Sequence, residues 1–270
     1  MTAAAPIGVF DSGIGGLTVV RELRRQLPAE DILYFGDTAR VPYGPKSPET
    51  VRRYSREIAS FLLARGVKAV VVACNTATAH ALPTLEAELP VPVVGVVTPG
   101  ARAAVRTAAA GASDGIGVIG TAGTVRSGAY ERAIAVLAPH ANVTARACPL
   151  FVPFVEEGWT RHPATRLVAE DYLAPFRTAD VGTLVLGCTH YPLLKPVIAD
   201  VLGPDIRLID SAHETAAETR AVLDAAGLAA EPGRTGTAHY VVSDAAEQFA
   251  HTARHFLGAP LQHVETLTLG

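Results

Sequence analysis

Short apolar runs alternate along the chain with stretches whose apolar residues recur at helical spacing. The runs at 7–10, 32–35, 67–73, 91–97, 115–120, 143–147, 183–187, 206–209 and 239–242 predict β-strands. Between the first two, Leu17, Val20, Leu23 and Leu27 predict a helix that Pro28 closes. Val51, Tyr54, Ile58 and Phe61 predict a second helix over 49–64, with Gly66 as its stop. Further helices are expected over 213–226 and 245–257, whereas 41–46 is too rich in Pro and Gly to be regular. Strands and helices in alternation define an α/β fold with a mainly parallel sheet. Nearly continuous apolar strands fit a sheet covered by helices on both faces.

One pattern occurs twice. Val70-Val71-Val72-Ala73-Cys74-Asn75-Thr76 resembles Leu184-Val185-Leu186-Gly187-Cys188-Thr189-His190. Each is a buried strand, a cysteine, a polar pair and then a helix. The echo predicts two similar parallel-sheet α/β domains facing each other across a cleft that holds the active site. Each would place a thiol beyond the carboxyl end of a strand, where such sheets bind ligands.

Composition narrows the function. The 270 residues are 49% hydrophobic and 18% charged, with a net charge of −3. No basic field is present to attract nucleic acid. The first residues lack a basic region followed by an apolar one, and no apolar run nears the ~18 residues of a membrane helix. Three cysteines, an odd number, fit free thiols in a reducing cytoplasm better than a disulfide framework. The expectation is a cytoplasmic protein with a small-molecule partner and neither nucleic acid nor membrane. A homodimer is left open.

Two constellations could carry chemistry. Asp11-Ser12-Gly13-Ile14-Gly15-Gly16 forms a glycine turn between strand and helix, where free backbone N–H groups bind anions. It is a poor dinucleotide fingerprint, because Thr18 stands at the third glycine position and Asp11 would repel a pyrophosphate. Asp37, at the end of the second strand, is the one feature that favours a nucleotide. The second constellation is the cysteine pair. Cys148, in Ala147-Cys148-Pro149, fits a small buried hydrophobe. Cys74 and Cys188 instead sit between strand and helix, where a helix N-terminus favours a thiolate. Pro192 fits the first turn of the helix after Cys188.

Several chemistries use such thiols. A zinc site is poorly served, for there is no Cys-x-x-Cys pair and Cys188-x-His190 is weak ligand spacing; no metal is expected. A redox dithiol would need the two sulfurs nearly touching. A cysteine hydrolase would use Cys188 with His190 and leave Cys74 idle. Proton transfer at a carbon centre uses both thiols, one on each face. Racemisation often relies on pyridoxal phosphate bound through a lysine. Lys46, Lys68 and Lys195 are the only lysines, and none occupies a convincing Schiff-base position. A cofactor-free route is therefore expected.

These residues also carry a resemblance. Phe10-Asp11-Ser12-Gly13-Ile14-Gly15-Gly16, Gly36-Asp37-Thr38-Ala39-Arg40-Val41-Pro42-Tyr43-Gly44 and Ala73-Cys74-Asn75-Thr76-Ala77 resemble motifs of the bacterial glutamate racemases. So do Ile119-Gly120-Thr121-Ala122-Gly123-Thr124, Phe151-Val152-Pro153-Phe154-Val155-Glu156-Glu157-Gly158 and Gly187-Cys188-Thr189-His190-Tyr191-Pro192. The resemblance, to a family of the aspartate/glutamate racemase superfamily, covers most of the chain in one order. It implies domains over 1–98 and 99–209, with 210–270 returning to the first. It implies Cys74 and Cys188 as the acid/base pair, assisted by Asp11 on one side and by His190 and Glu156 on the other. Asp11, Ser12, Tyr43, Gly44, Asn75, Thr76, Thr121, Thr189 and His190 match glutamate-binding positions. The implied product is D-glutamate for peptidoglycan. Aspartate racemases tend to carry an acidic residue where His190 stands, so glutamate is the expected substrate. Another acidic substrate and the hydrolase remain the alternatives. Trp159 adds nothing to this chemistry.

Overall fold

A computed structural model describes residues 2–111, 113, 115–261 and 263–269. The chain forms two compact units, one made of the residues up to Val96 with those from Ala212 onward, the other of Val97–Ser211.

The first half of unit 1 runs β1 (Ile7–Asp11), α1 (Leu17–Gln26), β2 (Ile32–Gly36), α2 (Pro48–Ala64), β3 (Ala69–Val72), α3 (Asn75–Glu88) and β4 (Val93–Gly95). Unit 2 follows with α4 (Val97–Ala109), β5 (Ile116–Gly120), α5 (Ala122–Ser127), α6 (Ala129–Leu137), β6 (Val143–Ala147) and α7 (Phe151–Glu156). It continues through α8 (Pro163–Thr178), β7 (Thr183–Gly187), α9 (Lys195–Leu202) and β8 (Arg207–Asp210). The chain then closes unit 1 with α10 (Ser211–Ala225), β9 (Ala238–Val242), α11 (Ala246–Leu257) and β10 (Glu265–Thr266).

Every strand pair is parallel. Unit 1 carries a six-stranded sheet in the order β10-β9-β2-β1-β3-β4, and unit 2 a four-stranded sheet in the order β6-β5-β7-β8. The runs β2-β1-β3-β4 and β6-β5-β7-β8 are the same topology, so β1 corresponds to β5 and β3 to β7. β1, β2, β3, β5 and β7 are buried along their whole length. Helices covering both faces explain their unbroken apolar character. In unit 1, Phe10, Phe35, Val70 and Val72 pack with Ile58 and Leu62 of α2. In unit 2, Ile116, Val118 and Val185 pack with Val97 and Ala101 of α4 and with Tyr130 and Ile134 of α6.

Local signals set the limits of α2. Ser47 caps it by accepting from the Thr50 N–H at 3.2 Å, with Pro48 at its first residue. Gly66, at φ +75°, turns the chain out after its end.

The structure departs from the pattern in several places. α4 and α8 lie where no helix was expected: Pro99 and Gly100 in one, and Pro163, Pro175 and a mainly polar surface in the other, mask the periodicity. After Cys188 the chain enters a 3-10 turn, Tyr191–Leu194, and only then α9. A continuous α-helix through Pro196 would lose a backbone hydrogen bond and clash with the preceding turn, so a new helix starts with Pro196 in its first turn. No helix among the described residues is long and apolar enough to cross a membrane.

Candidate active site

In each sheet, connections leave two neighbouring strands in opposite directions. β1 leads to β2 on one side while β3 leads to β4 on the other; β5 and β7 do the same in unit 2. Such a reversal opens a crevice beyond the carboxyl ends of the two strands. Asp11 ends β1 and Cys74 follows β3. Thr121 follows β5 and Cys188 follows β7, directly after the paired residues Gly120 and Gly187. Both thiols therefore occupy the corresponding reversal point of their own sheet. All three cysteines are free.

In unit 1, Cys74 is itself the cap of α3: its Sγ accepts from the Ala77 N–H at 3.4 Å. It also lies 3.6 Å from the Ser12 Oγ. Asn75 and Thr76 are buried in the first turn of the 14-residue α3, at the end where the helix dipole and free N–H groups favour an anion. Asp11 is 1% exposed and accepts from the Gly13 N–H at 3.0 Å.

Gly16 makes this approach possible. A Cβ there would stand 2.6 Å from the Asp11 Cβ and 3.0 Å from that of Ala73. Neither neighbour is a flexible side-chain end, so Gly16→Ala is expected to displace Asp11 and cost about 1–3 kcal/mol of stability. Thermal denaturation measures that cost. An unchanged melting temperature would show that the turn can give way.

Asp37 has a structural task rather than a nucleotide-binding one. It is fully buried and takes both oxygens to the Arg40 Nε, at 2.9 and 2.8 Å, while Ser243 Oγ donates at 3.0 Å. Tyr43 also donates its hydroxyl to this carboxylate, and burial, with the Asp37 charge next, pushes the Tyr43 phenol well up. No ribose could reach it. Asp37 instead anchors residues 38–43, and the Tyr43 ring is a buried prop of that loop. Any contact Tyr43 makes with a ligand must come from its backbone. A pair such as Asp37 and Arg40 is visible in sequence; Ser243, from the far end of the chain, is not.

Unit 2 builds a different setting around its thiol. Cys188 and Thr189 are buried, and the Cys188 Sγ lies 3.9 Å from the His190 Nδ1. The other ring nitrogen meets the Glu156 carboxylate at 2.9 Å. Burial alone would drive the His190 proton off, but the hydrogen bonds to Cys188 and Glu156 and their negative charges outweigh it. The imidazole is pushed up to about 10. It is thus an imidazolium at neutral pH, a proton donor and counter-charge beside the sulfur. Thr121 caps α5, its Oγ1 accepting from the Thr124 N–H at 3.2 Å.

Cys148, after β6, is 0% exposed, and burial pushes its thiol up to about 12. It remains a packing residue. The predicted residues thus gather into two clusters, Asp11, Ser12, Cys74, Asn75 and Thr76 in unit 1, and Thr121, Glu156, Cys188, Thr189 and His190 in unit 2. Among the described residues, no group of His, Cys, Asp and Glu could hold a metal ion.

Known proteins share this sequence and fold. The Asp/Glu/Hydantoin racemase family matches residues 7–219. The glutamate racemase of Geobacter metallireducens is 54% identical over 263 residues, covering 97% of this chain and 96% of that protein. A glutamate racemase structure from Bacillus anthracis superimposes with a TM-score of 0.93 at 41% identity, covering 98% of each chain. One from Francisella tularensis, in complex with D-glutamate, gives 0.92 at 37% identity, covering 99% of this chain and 98% of that one. The chain belongs to the Asp/Glu/Hydantoin racemase family, among its glutamate racemases.

Proposed function

We propose that the protein interconverts L- and D-glutamate by direct proton transfer at the α-carbon, with Cys74 and Cys188 as the acid/base pair and no pyridoxal phosphate. The observation that carries this reading is the matched placement of the two thiols, each at the strand-order reversal of its own sheet. One thiolate takes the α-proton and leaves a carbanion whose charge spreads into the carboxylate. The other thiol gives its proton to the opposite face, so the configuration inverts and the two cysteines exchange protonation states. Backbone N–H groups in the first turn of α3, with Ser12, Thr76 and Thr189, supply fixed donors for the charge that develops. Asp11 serves Cys74, and His190 with Glu156 serves Cys188, as proton relays.

The lysines support a route without a Schiff base. Lys68 is fully buried at the far end of β3 from Cys74, 2.5 Å from the Glu30 carboxylate and 2.6 Å from the Ala3 carbonyl. Lys195 pairs with Asp210 at 2.8 Å, and Lys46 lies over the Tyr54 ring. The reading extends to D-glutamate as a precursor of cell-wall peptidoglycan, on the likeness to the glutamate racemases.

Circular dichroism of L-glutamate tests the activity. The signal should decay to zero with dialysed protein and no added cofactor, while an equal concentration of L-aspartate holds its signal. A constant glutamate signal, or aspartate racemising as fast, would overturn the assignment.

A further inference from the structure

α7 ends on the residue that holds His190, for Glu156 is its last residue. A helix of six residues has little stability of its own, so its final turn depends on what closes it. Gly158, at φ +75°, donates its N–H to the Val155 carbonyl at 3.0 Å, and Trp159 donates to that of Phe154 at 2.7 Å. This pair of bonds is a Schellman closure, and the apolar contact that accompanies such closures is present. The Phe154 and Trp159 rings stack at 6.1 Å with an interplanar angle of 11°. A second ring, that of His162, stacks on the indole at 4.1 Å. The Trp159 carbonyl also accepts from Thr165 Oγ1 at 2.6 Å and from the His162 N–H at 3.1 Å. His162 in turn caps α8. Trp159, the only tryptophan of the chain, therefore ties the end of α7 to the start of α8.

The Glu156 side chain is 44% exposed. Water competes for its carboxylate, so its hold on the imidazole depends on where the end of α7 is placed. We propose that Trp159 is a positioning residue for racemisation: by closing α7 it sets Glu156 against the His190 Nε2 and so governs the protonation of the imidazole beside Cys188. This rests on the roles proposed above for Cys188 and His190. Ionisable groups on the surrounding elements are Cys188 after β7, Glu156 and Glu157 of α7, Tyr191 in the same turn, Cys148 after β6, and Lys195 of α9, which is paired with Asp210. Glu156 meets Nε2 at 2.9 Å.

Histidine-labelled full-length protein, titrated by NMR without substrate, tests the coupling alongside the pH dependence of kcat/KM. Trp159→Ala and Glu156→Gln should both lower the His190 midpoint by about a unit or more. Both should bring the alkaline loss of activity down with it and reduce kcat/KM about tenfold or more. Trp159→Phe, which keeps a ring for the stack, should largely restore both. His162→Ala leaves the closing bonds in place and should give a smaller shift of the same sign, which keeps the test open if Trp159→Ala does not fold. An unmoved His190 titration in whichever of Trp159→Ala and His162→Ala folds would overturn the proposal, even if activity fell. Because the titration needs no substrate, failure to racemise glutamate would count against the proposed function alone.

Discussion

Cys74→Ala and Cys188→Ala should each abolish racemisation in both directions, lowering kcat/KM by about 100- to 10,000-fold, while leaving the fold intact. Each cysteine is small and lies at a strand end, 6% exposed, so the loss of one sulfur leaves little to collapse. The reason for loss in both directions is chemical. Inversion requires a proton to leave one face of the α-carbon and another to arrive at the opposite face. Removing either thiol deprives L-to-D turnover of its base or its acid, and D-to-L turnover of the other. Cys148→Ala is the control: burial holds that thiol up at about 12, and the substitution should leave kcat within about twofold of the parent, since no proton transfer is assigned to it. Polarimetric rates for the three variants, with far-ultraviolet circular dichroism to confirm folding, decide the matter. A Cys74→Ala variant that kept full activity would favour chemistry at Cys188 and His190 alone.

The second large effect belongs to His190. His190→Asn should reduce kcat/KM by about 100-fold. Because the enantiomers are equal in free energy, the fall in kcat/KM must be the same in both directions, and any asymmetry in kcat must be matched by an equal one in KM. The pH dependence has a definite sign. The folded protein holds the His190 proton up to about 10, above the ordinary value of 6.5. Between those values the folded state binds a proton that the unfolded state has released, so stability from this group is complete below about 6.5 and is lost as pH rises through about 10. Activity that needs the imidazolium depends on the folded protein alone and should fall only as pH rises through about 10. Denaturant titrations of parent and His190→Asn at several pH values measure the stability, and the variant should lack this part of its alkaline decline. A parent whose stability was flat between about 6.5 and 10, or whose rate did not fall as pH passed about 10, would contradict a protonated His190.

Much of this was legible in the residues because the central strands are buried on both faces. Their apolar runs mark them without help from the rest of the fold, and a cysteine followed by polar residues at the end of two such runs stands out. What was hidden depends on distant or non-local contacts. Asp37, the one feature that favours a nucleotide in sequence, is enclosed by Ser243, Arg40 and Tyr43, a set of partners that spacing alone does not reveal. β10 is two residues long and exists by pairing with β9, not by a pattern of its own. The segment after Cys188 is a 3-10 turn rather than the expected α-helix: Pro192 suits a first turn of either kind, and Pro196 breaks any α-helical continuation. The two thiols therefore differ more than their matching motifs suggest: Cys74 caps a long helix, whereas Cys188 is set against an imidazolium.

The central claim is that two separate thiols serve the two faces of one carbon. Racemisation of L-glutamate in deuterium oxide, stopped at low conversion and analysed by proton NMR, tests it most directly. Two bases predict D-glutamate carrying deuterium at the α-carbon, with the remaining L-glutamate still carrying its proton. D-glutamate that retained the original proton, or L-glutamate that gained deuterium as fast as product formed, would point to a single base and contradict the account.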